Sequence, residues 1–294
     1  MLSVIRVLLI IAVVLIVLYF LMIMPRMTHR PDRSAFETKL YAHRGLYNNR
    51  SDAPENSMNA FSKAVAAGYG IELDVQMTKD KVPVVFHDFT LKRMCTKPGK
   101  VSDYTFEELQ TCRLGDSDEK IPTFREFLRF IDGRVPLIIE YKVERKDLSV
   151  CRICDEMLRS YKGVYCVESF NPLVLIWYRR KHSTVMRGQL SEAFLHNKES
   201  WTAAFPFLFM LQMLLEDFVT KPDFIAYNHL HERNPSRRLC HGFFHAKAAA
   251  WTIKSEEQLK KAEGHFDVFI FDSFIPGEDS HSMHLHGSGS EAIC

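Results

Sequence analysis

The sequence predicts an α/β chain folded as a (β/α)8 TIM barrel, with an extra β-hairpin after the second strand and one apolar transmembrane helix ahead of the barrel. Three observations carry this expectation. Beyond residue 39 short apolar runs alternate with longer amphipathic ones, eight of the short runs qualify as barrel strands, and residues 40–272 have nearly the length of one such barrel, typically about 250 residues. The competing open, doubly wound sheet calls for a Gly-rich phosphate loop after its first strand, and none follows here. Totals exclude other classes. With 38 Lys+Arg against 36 Asp+Glu the net charge is +2, too balanced for a nucleic-acid partner held by bulk charge. A 47% hydrophobic and 25% charged make-up is that of a folded protein, and excludes wholesale disorder.

In chain order, residues 7–24 (VLLIIAVVLIVLYFLMIM) hold no charged side chain. As a helix, 18 residues reach about 27 Å, close to the hydrocarbon thickness of a bilayer. A cleaved signal peptide is the competing reading, but the run ends in MIMPRM without a small-x-small cleavage site, so an uncleaved single-pass anchor is expected. Arg26, Arg30, Arg33 and Lys39 follow the run and only Arg6 and the terminal amine precede it, which places the remainder in the cytoplasm by the positive-inside rule. The expected plan is therefore an anchor with a basic juxtamembrane linker (1–39), one barrel domain (40–275) and a polar, Gly/Ser-rich disordered tail (276–294).

The eight strand candidates are 40–45, 70–77, 136–142, 164–170, 184–190, 223–228, 248–253 and 267–272. Between them lie helical stretches such as NSMNAFSKAVAAG, with a start signal at Asn56/Ser57, and TFREFLRFI, opened by Thr123. A further run, VPVVFHD (82–88), follows the second strand after only four residues, TKDK. A parallel crossover needs a dozen or more, so this pair is an antiparallel hairpin. Folding back, it returns His87 to the neighbourhood of Glu72 and Asp74. The seven cysteines show no repeated paired spacing, and Cys151-x-x-Cys154 falls in a predicted helix, so reduced, ordinary residues are expected rather than a disulfide or metal pair.

Barrel chemistry comes from the C-terminal ends of strands. Here those ends carry His43-Arg44, Glu72-x-Asp74, His87-Asp88 and Glu140-Tyr141-Lys142. Strand alternation puts Glu72 and Asp74 on one face, and likewise Glu140 and Lys142. If that face is the interior, three carboxylates crowd one cavity, and unpaired burial costs several kcal/mol or more each. A hard divalent cation resolves the repulsion, and all-oxygen ligation selects Mg²⁺ or Ca²⁺. Adding Arg44 and Lys142 leaves the site suited to a monoanion such as a phosphodiester, with the two cations clamping the phosphoryl group. His43 and His87 then fit as an acid/base pair, their order open. Singly, each residue reads better as a structural ion pair or a packed histidine; inward charge at successive strand ends favours function.

These residues belong to a series of motifs: AHRG (42–45), APEN (53–56), IELDV (71–75), TKDKVPVVFHD (78–88), LKR (91–93), IPTFREFL (121–128), IEYK (139–142), SFNP (169–172) and AWTI (250–253). In order and content the chain resembles the glycerophosphodiester phosphodiesterases. The resemblance implies a (β/α)8 enzyme releasing an alcohol and glycerol 3-phosphate, in glycerophospholipid metabolism. It implies His43 and His87 as the catalytic pair, Glu72, Asp74 and Glu140 as ligands of one Mg²⁺ or Ca²⁺, Arg44 and Lys142 as the phosphate clamp, and Trp251 as an aromatic lining the substrate pocket. The chain departs from the family pattern at TKDK, at WTIK and at FDSFIP, none of which touches the seven charged or imidazole positions. Two other readings stay open: a phosphodiesterase acting on intact lysolipids, and a non-catalytic membrane-anchored module that binds a glycerophosphodiester.

The stretch 203–215, AAFPFLFMLQMLL, is uncharged but too short to span a bilayer. It is either a buried barrel helix or an interfacial element lying on the membrane. His281, His284 and His286 in the tail are expected to be solvated rather than metal-binding.

Overall fold

The computed structural model describes residues 2–144, 146–196 and 203–277. Among these residues nine strands form one sheet: β1 (Leu40–His43), β2 (Gly70–Met77), β3 (Pro83–Val85), β4 (Leu137–Tyr141), β5 (Tyr165–Ser169), β6 (Arg187–Ser191), β7 (Phe224–Asn228), β8 (Lys247–Ile253) and β9 (Val268–Phe271). All but β3 run parallel, and β1 pairs with both β9 and β2, which closes the barrel. β3 pairs antiparallel with the second half of β2, Val75 opposite Val85. β1 pairs only the first half of β2, with His43 opposite Glu72. β3 thus lies beside β2 beyond the point where β1 ends, at the C-terminal mouth, as the four-residue turn requires.

Alternation along each strand sorts the side chains. Leu40, Ala42, Ile71, Leu73, Val75, Leu137, Ile139 and Val167 pack outward against the helices. Tyr41, Ile138, Cys166, Phe224, Ala226 and Ile270 fill the interior instead. By the same parity His43, Glu72, Asp74, Glu140 and Glu168 turn inward, above that apolar layer.

The helices are α1 (Leu2–Met22), α2 (Met58–Ala66), α3 (Lys92–Cys95), α4 (Phe106–Leu109), α5 (Phe124–Ile131), α6 (Ser149–Leu158), α7 (Pro172–Lys181), α8 (Phe205–Gln212), α9 (Asp217–Thr220), α10 (Pro235–Gly242) and α11 (Glu256–Ala262). Two start where their capping residues predict. The Ser57 hydroxyl accepts from the Ala60 N–H, and Thr123 forms a reciprocal box with Glu126. Cys151 and Cys154 are buried core residues of α6. The short helices α3 and α4 belong to an insertion after β3 with its own small core of Val84, Phe86, Leu91, Met94, Val101, Leu109, Leu114 and Ile121, whose irregular spacing follows neither strand nor helix period.

One expectation needs revision. Residues 23–39 are not a free linker: Ala35 and Phe36 plug the N-terminal end of the barrel, with the Phe36 and Phe224 rings 4.7 Å apart, and Arg30 donates to the Phe244 carbonyl. Of the two readings left open for 203–215, the buried barrel helix does not hold, since of the eight residues of α8 only Leu211 is buried, while Phe207 and Phe209 are exposed. Residues 278–294, which include His281, His284 and His286 and nearly all of the expected tail, lie outside the described residues.

Candidate active site at the barrel mouth

β1 ends at His43, and the chain then reverses through Arg44 and Gly45, both with positive φ (56° and 82°). The Arg44 N–H donates to the Glu72 carbonyl at 2.9 Å, which holds this unusual backbone and aims the guanidinium across the mouth. Glycine is required next: a Cβ at Gly45 would stand 2.8 Å from the Ala60 carbonyl carbon. Opposite, Lys142 directly follows β4.

Glu72, Asp74 and Glu140 each offer an oxygen, all within 4.8 Å of one another, and all three residues are buried. Lys142 Nζ lies 2.6 Å from Glu140 Oε1 and 3.1 Å from Asp74 Oδ1, while Arg44 Nε lies 3.3 Å from Asp74 Oδ2. Burial, with the charges of Asp74 and Glu140, pushes the Glu72 carboxyl well above its usual range. Burial also lifts Glu140 to about 7 despite Lys142 beside it. Asp74 goes the other way, because Lys142, His87, Arg44 and the Asn56 amide outweigh its burial and hold it low. Two carboxyls straining toward protonation around a third that stays ionised is the behaviour of a site short of positive charge. The donor set therefore fits a hard divalent cation.

His43 Nδ1 stands 2.8 Å from Asp272 Oδ2, and its Nε2 faces Glu72 at 3.8 Å. Burial and Arg44 lower its pKa, so the ring is neutral near pH 7. Asp272 also accepts the Tyr47 hydroxyl at 3.2 Å. Its burial is outweighed by the hydrogen bond to His43, which keeps it ionised, near 2. Such a carboxylate fixes the proton on Nδ1 and leaves Nε2 free to accept one. His87 follows β3; burial lowers its pKa, and Asp74, Lys142 and Arg44 all act on it. Its Nδ1 lies 2.6 Å from Asp88 Oδ1. The side-chain amide of Gln76 donates to the carbonyls of Phe86, His87 and Asp88, pinning the turn that carries it.

The structure thus gathers His43, Arg44, Glu72, Asp74, His87, Glu140 and Lys142 at one mouth. Trp251 lies at the rim, its ring 5.6 Å from Phe170 and edge-on to it. Supporting residues escaped the sequence reading. Glu55 accepts Arg44 at 2.8 Å and is gripped by Arg93 at 2.6 Å, and Asn56 donates to Asp74 Oδ2 at 2.9 Å. Both stand inside the APEN motif, which was the available signal. Asp272 sits in the FDSFIP departure, so that departure does touch the site, through His43. Glu168 pairs in register with Glu140, and burial pushes its carboxyl well above the usual range.

The sequence profile of the glycerophosphoryl diester phosphodiesterase family matches residues 43–265, most of the barrel. The chain belongs to that family. A glycerophosphodiester phosphodiesterase from Bacillus altitudinis is 39% identical over 117 residues, 36% of this chain and 45% of that protein. Human glycerophosphodiester phosphodiesterase 1 is 42% identical over 94 residues, 29% of this chain and 28% of that one, so the chain spans less than half the length of these two relatives. Among solved structures, a phosphodiesterase of Oleispira antarctica in complex with sn-glycerol-3-phosphate superposes with a TM-score of 0.64 at 22% identity, covering 83% of this chain and 96% of that one. A Thermotoga maritima glycerophosphodiester phosphodiesterase gives 0.61 at 24%, covering 80% and 95%. These likenesses establish the barrel fold of this family member.

Proposed function

We propose that this family member is a single-pass membrane protein whose barrel, residues 40–275, hydrolyses glycerophosphodiesters to an alcohol and glycerol 3-phosphate in glycerophospholipid metabolism. The observation that carries the reading is the joint presence, at one mouth, of three converging carboxylates, two cations and two imidazoles, each imidazole set beside an aspartate. Glu72, Asp74 and Glu140 would hold one Mg²⁺ or Ca²⁺, which supplies charge to a phosphoryl oxygen and its nucleophile. Arg44 and Lys142 bind the remaining phosphoryl oxygens and stabilise the charge that spreads over them in the transition state. Of His43 and His87, one takes the nucleophile's proton and the other protonates the leaving alkoxide. Asp272 keeps His43 in the tautomer with Nε2 free. Trp251 packs on the glycerol carbons.

The anchor reading is supported by α1, whose residues 3–22 are long and apolar enough to cross a membrane. It is supported too by Ile23, fully buried against the barrel, which cleavage of a leader would expose. The cations after the span are read as the chain inserts, before Arg26 and Arg30 dock, so the barrel is placed in the cytoplasm. A second reading, hydrolysis of intact lysolipids, is favoured by an apolar groove of about 640 Å³ between α7 and α8. It shares Val143, Phe170 and Asn171 with the cavity lined by Glu140 and Lys142.

The test is product analysis of the purified full chain on glycerophosphocholine and lysophosphatidylcholine with Mg²⁺ or Ca²⁺. Release of glycerol 3-phosphate, abolished by EDTA and by His43→Ala or His87→Ala in folded protein, is expected. Full turnover by the double histidine variant would sink the assignment.

A further inference from the structure

α1 does not leave the barrel from the end at which the chain enters it. Residues 24–26 lie at the N-terminal face. There the Arg26 N–H donates to the Pro222 carbonyl at 3.0 Å, its guanidinium to Ser183 at 2.7 Å, and Lys221 Nζ to the Met24 carbonyl at 2.8 Å. At the preceding residue, the Ile23 carbonyl accepts from Cys240 Sγ at 3.2 Å, late in α10. A further turn back, the Tyr19 hydroxyl meets Ser236 at 2.7 Å, in the first turn of α10. Because α10 follows β7, its first turn stands at the catalytic end, where Asn234 donates to the Gln212 carbonyl that closes α8. α1 therefore runs beside α10 in the floor-to-mouth direction: Phe20 packs on Phe243 and Phe244 just past the floor end of α10, and the Tyr19 hydroxyl reaches its first turn. Residues 2–18 continue in that direction, about 25 Å of helix at 1.5 Å per residue and nearly the hydrocarbon thickness.

Apolar side chains face out at the rim toward which α1 points. Phe207 and Phe209 of α8 are 52% and 42% exposed, Leu230 after β7 is 68% exposed, and Ile275 after β9 is 74% exposed. α8 carries no charged residue. The opposite end also exposes apolar side chains, Met27, Val164 and Phe243, but α7 finishes there on Arg179, Arg180 and Lys181. An uncharged rim helix on the side toward which a lipid-length helix runs matches an interfacial bilayer contact.

Resting on the reading of α1 as a membrane span, we propose that the barrel sits mouth-down on the bilayer that α1 crosses, with α8 and Leu230 dipped into the headgroup boundary. Substrate then enters along the membrane surface, through the slit between rim and lipid.

The test uses the full chain in phosphatidylcholine vesicles, with a fluorophore on one added cysteine and nitroxide-bearing lipids as quencher; the unsubstituted chain supplies the background from the native cysteines. Phe207→Cys, Leu230→Cys and Ile275→Cys probe the rim, Lys181→Cys the floor and Ile11→Cys the span. Quenching at the rim and span positions several-fold above that at Lys181→Cys is expected. Quenching at Ile11→Cys with none at the three rim positions would overturn the mouth-down arrangement alone, and would assign the patch to a second copy if the solubilised chain is a dimer. No quenching at Ile11→Cys would overturn the span, and this arrangement with it. Stronger quenching at Lys181→Cys than at the rim would reverse the orientation.

Discussion

Replacing Asp272 with Asn should cost catalysis far more than binding. The carboxylate stands 2.8 Å from His43 Nδ1, accepts Tyr47 at 3.2 Å and Ser273 at 2.7 Å, and hydrogen-bonds none of the three converging carboxylates. Asn keeps the volume and removes the charge, and its amide can meet Nδ1 as a donor, which drives the ring proton to Nε2. A hydrogen bond to a charged group is worth about 1.5–3 kcal/mol, and each 1.36 kcal/mol is tenfold in rate, so kcat should fall by roughly 10- to 150-fold. KM and the metal concentration for half-maximal rate should stay within about threefold, since neither cation nor ligand loses a contact. The assay is glycerol 3-phosphate release from glycerophosphocholine at saturating metal, titrated in both substrate and metal. A kcat within about twofold of the parent would refute the orienting role. A loss confined to metal affinity would move Asp272 into the metal site instead.

Three further outcomes follow from the same geometry. Glu55→Gln loosens the carboxylate that holds Arg44 at 2.8 Å, so kcat/KM should drop about tenfold while metal affinity holds, measured in the same titrations. Gly188→Ala drives a methyl to within 2.1 Å of the Phe224 ring, and should lower stability by about 1–3 kcal/mol in thermal denaturation of the detergent-solubilised chain. Asp267 accepts Lys247 at 2.9 Å and the Ala248 N–H at 2.8 Å; although burial opposes it, His241 and Lys247 hold its carboxyl near 2, below the ordinary 3.8. A depressed folded-state value stabilises above the unfolded one and is lost as pH falls through the folded one. Asp267→Asn should therefore cost about 1–2 kcal/mol at pH 7, after allowance for solvent screening, and the deficit should shrink below about pH 4 in denaturant titrations. A deficit constant with pH would exclude the ionic origin.

The barrel was legible because strands buried on both faces leave continuous apolar runs, and because parallel crossovers forbid a four-residue link, which singled out the hairpin. Boundaries were less so. β1 stops at His43, not residue 45, since the backbone turns at Arg44, and β6 spans Arg187–Ser191 where 184–190 was expected. The inward charges announced the mouth because they break the apolar pattern. What holds them did not: Asp272 meets His43 across 229 positions of chain, and Gln76 acts on three backbone carbonyls that carry no sequence signature. The exposure of α8 was equally hidden, because composition alone does not distinguish an apolar helix inside a protein from one laid outside it.

The plug formed by Ala35 and Phe36 governs where this chain can be cut. Cutting the chain at residue 40, the expected domain boundary, would uncork the barrel, baring Phe224 and removing the Ala35 carbonyl that receives the Tyr41 hydroxyl. Loss of a buried Phe side chain alone costs about 3–5 kcal/mol, a large part of an ordinary domain's stability. Cutting at about 25 would spare the plug but strip Tyr19, Phe20 and Ile23 from α10 and from Phe243 and Phe244. Handle and vessel are cast in one piece, so a less apolar variant has to come from recolouring the outward side chains of residues 3–18 rather than from excision.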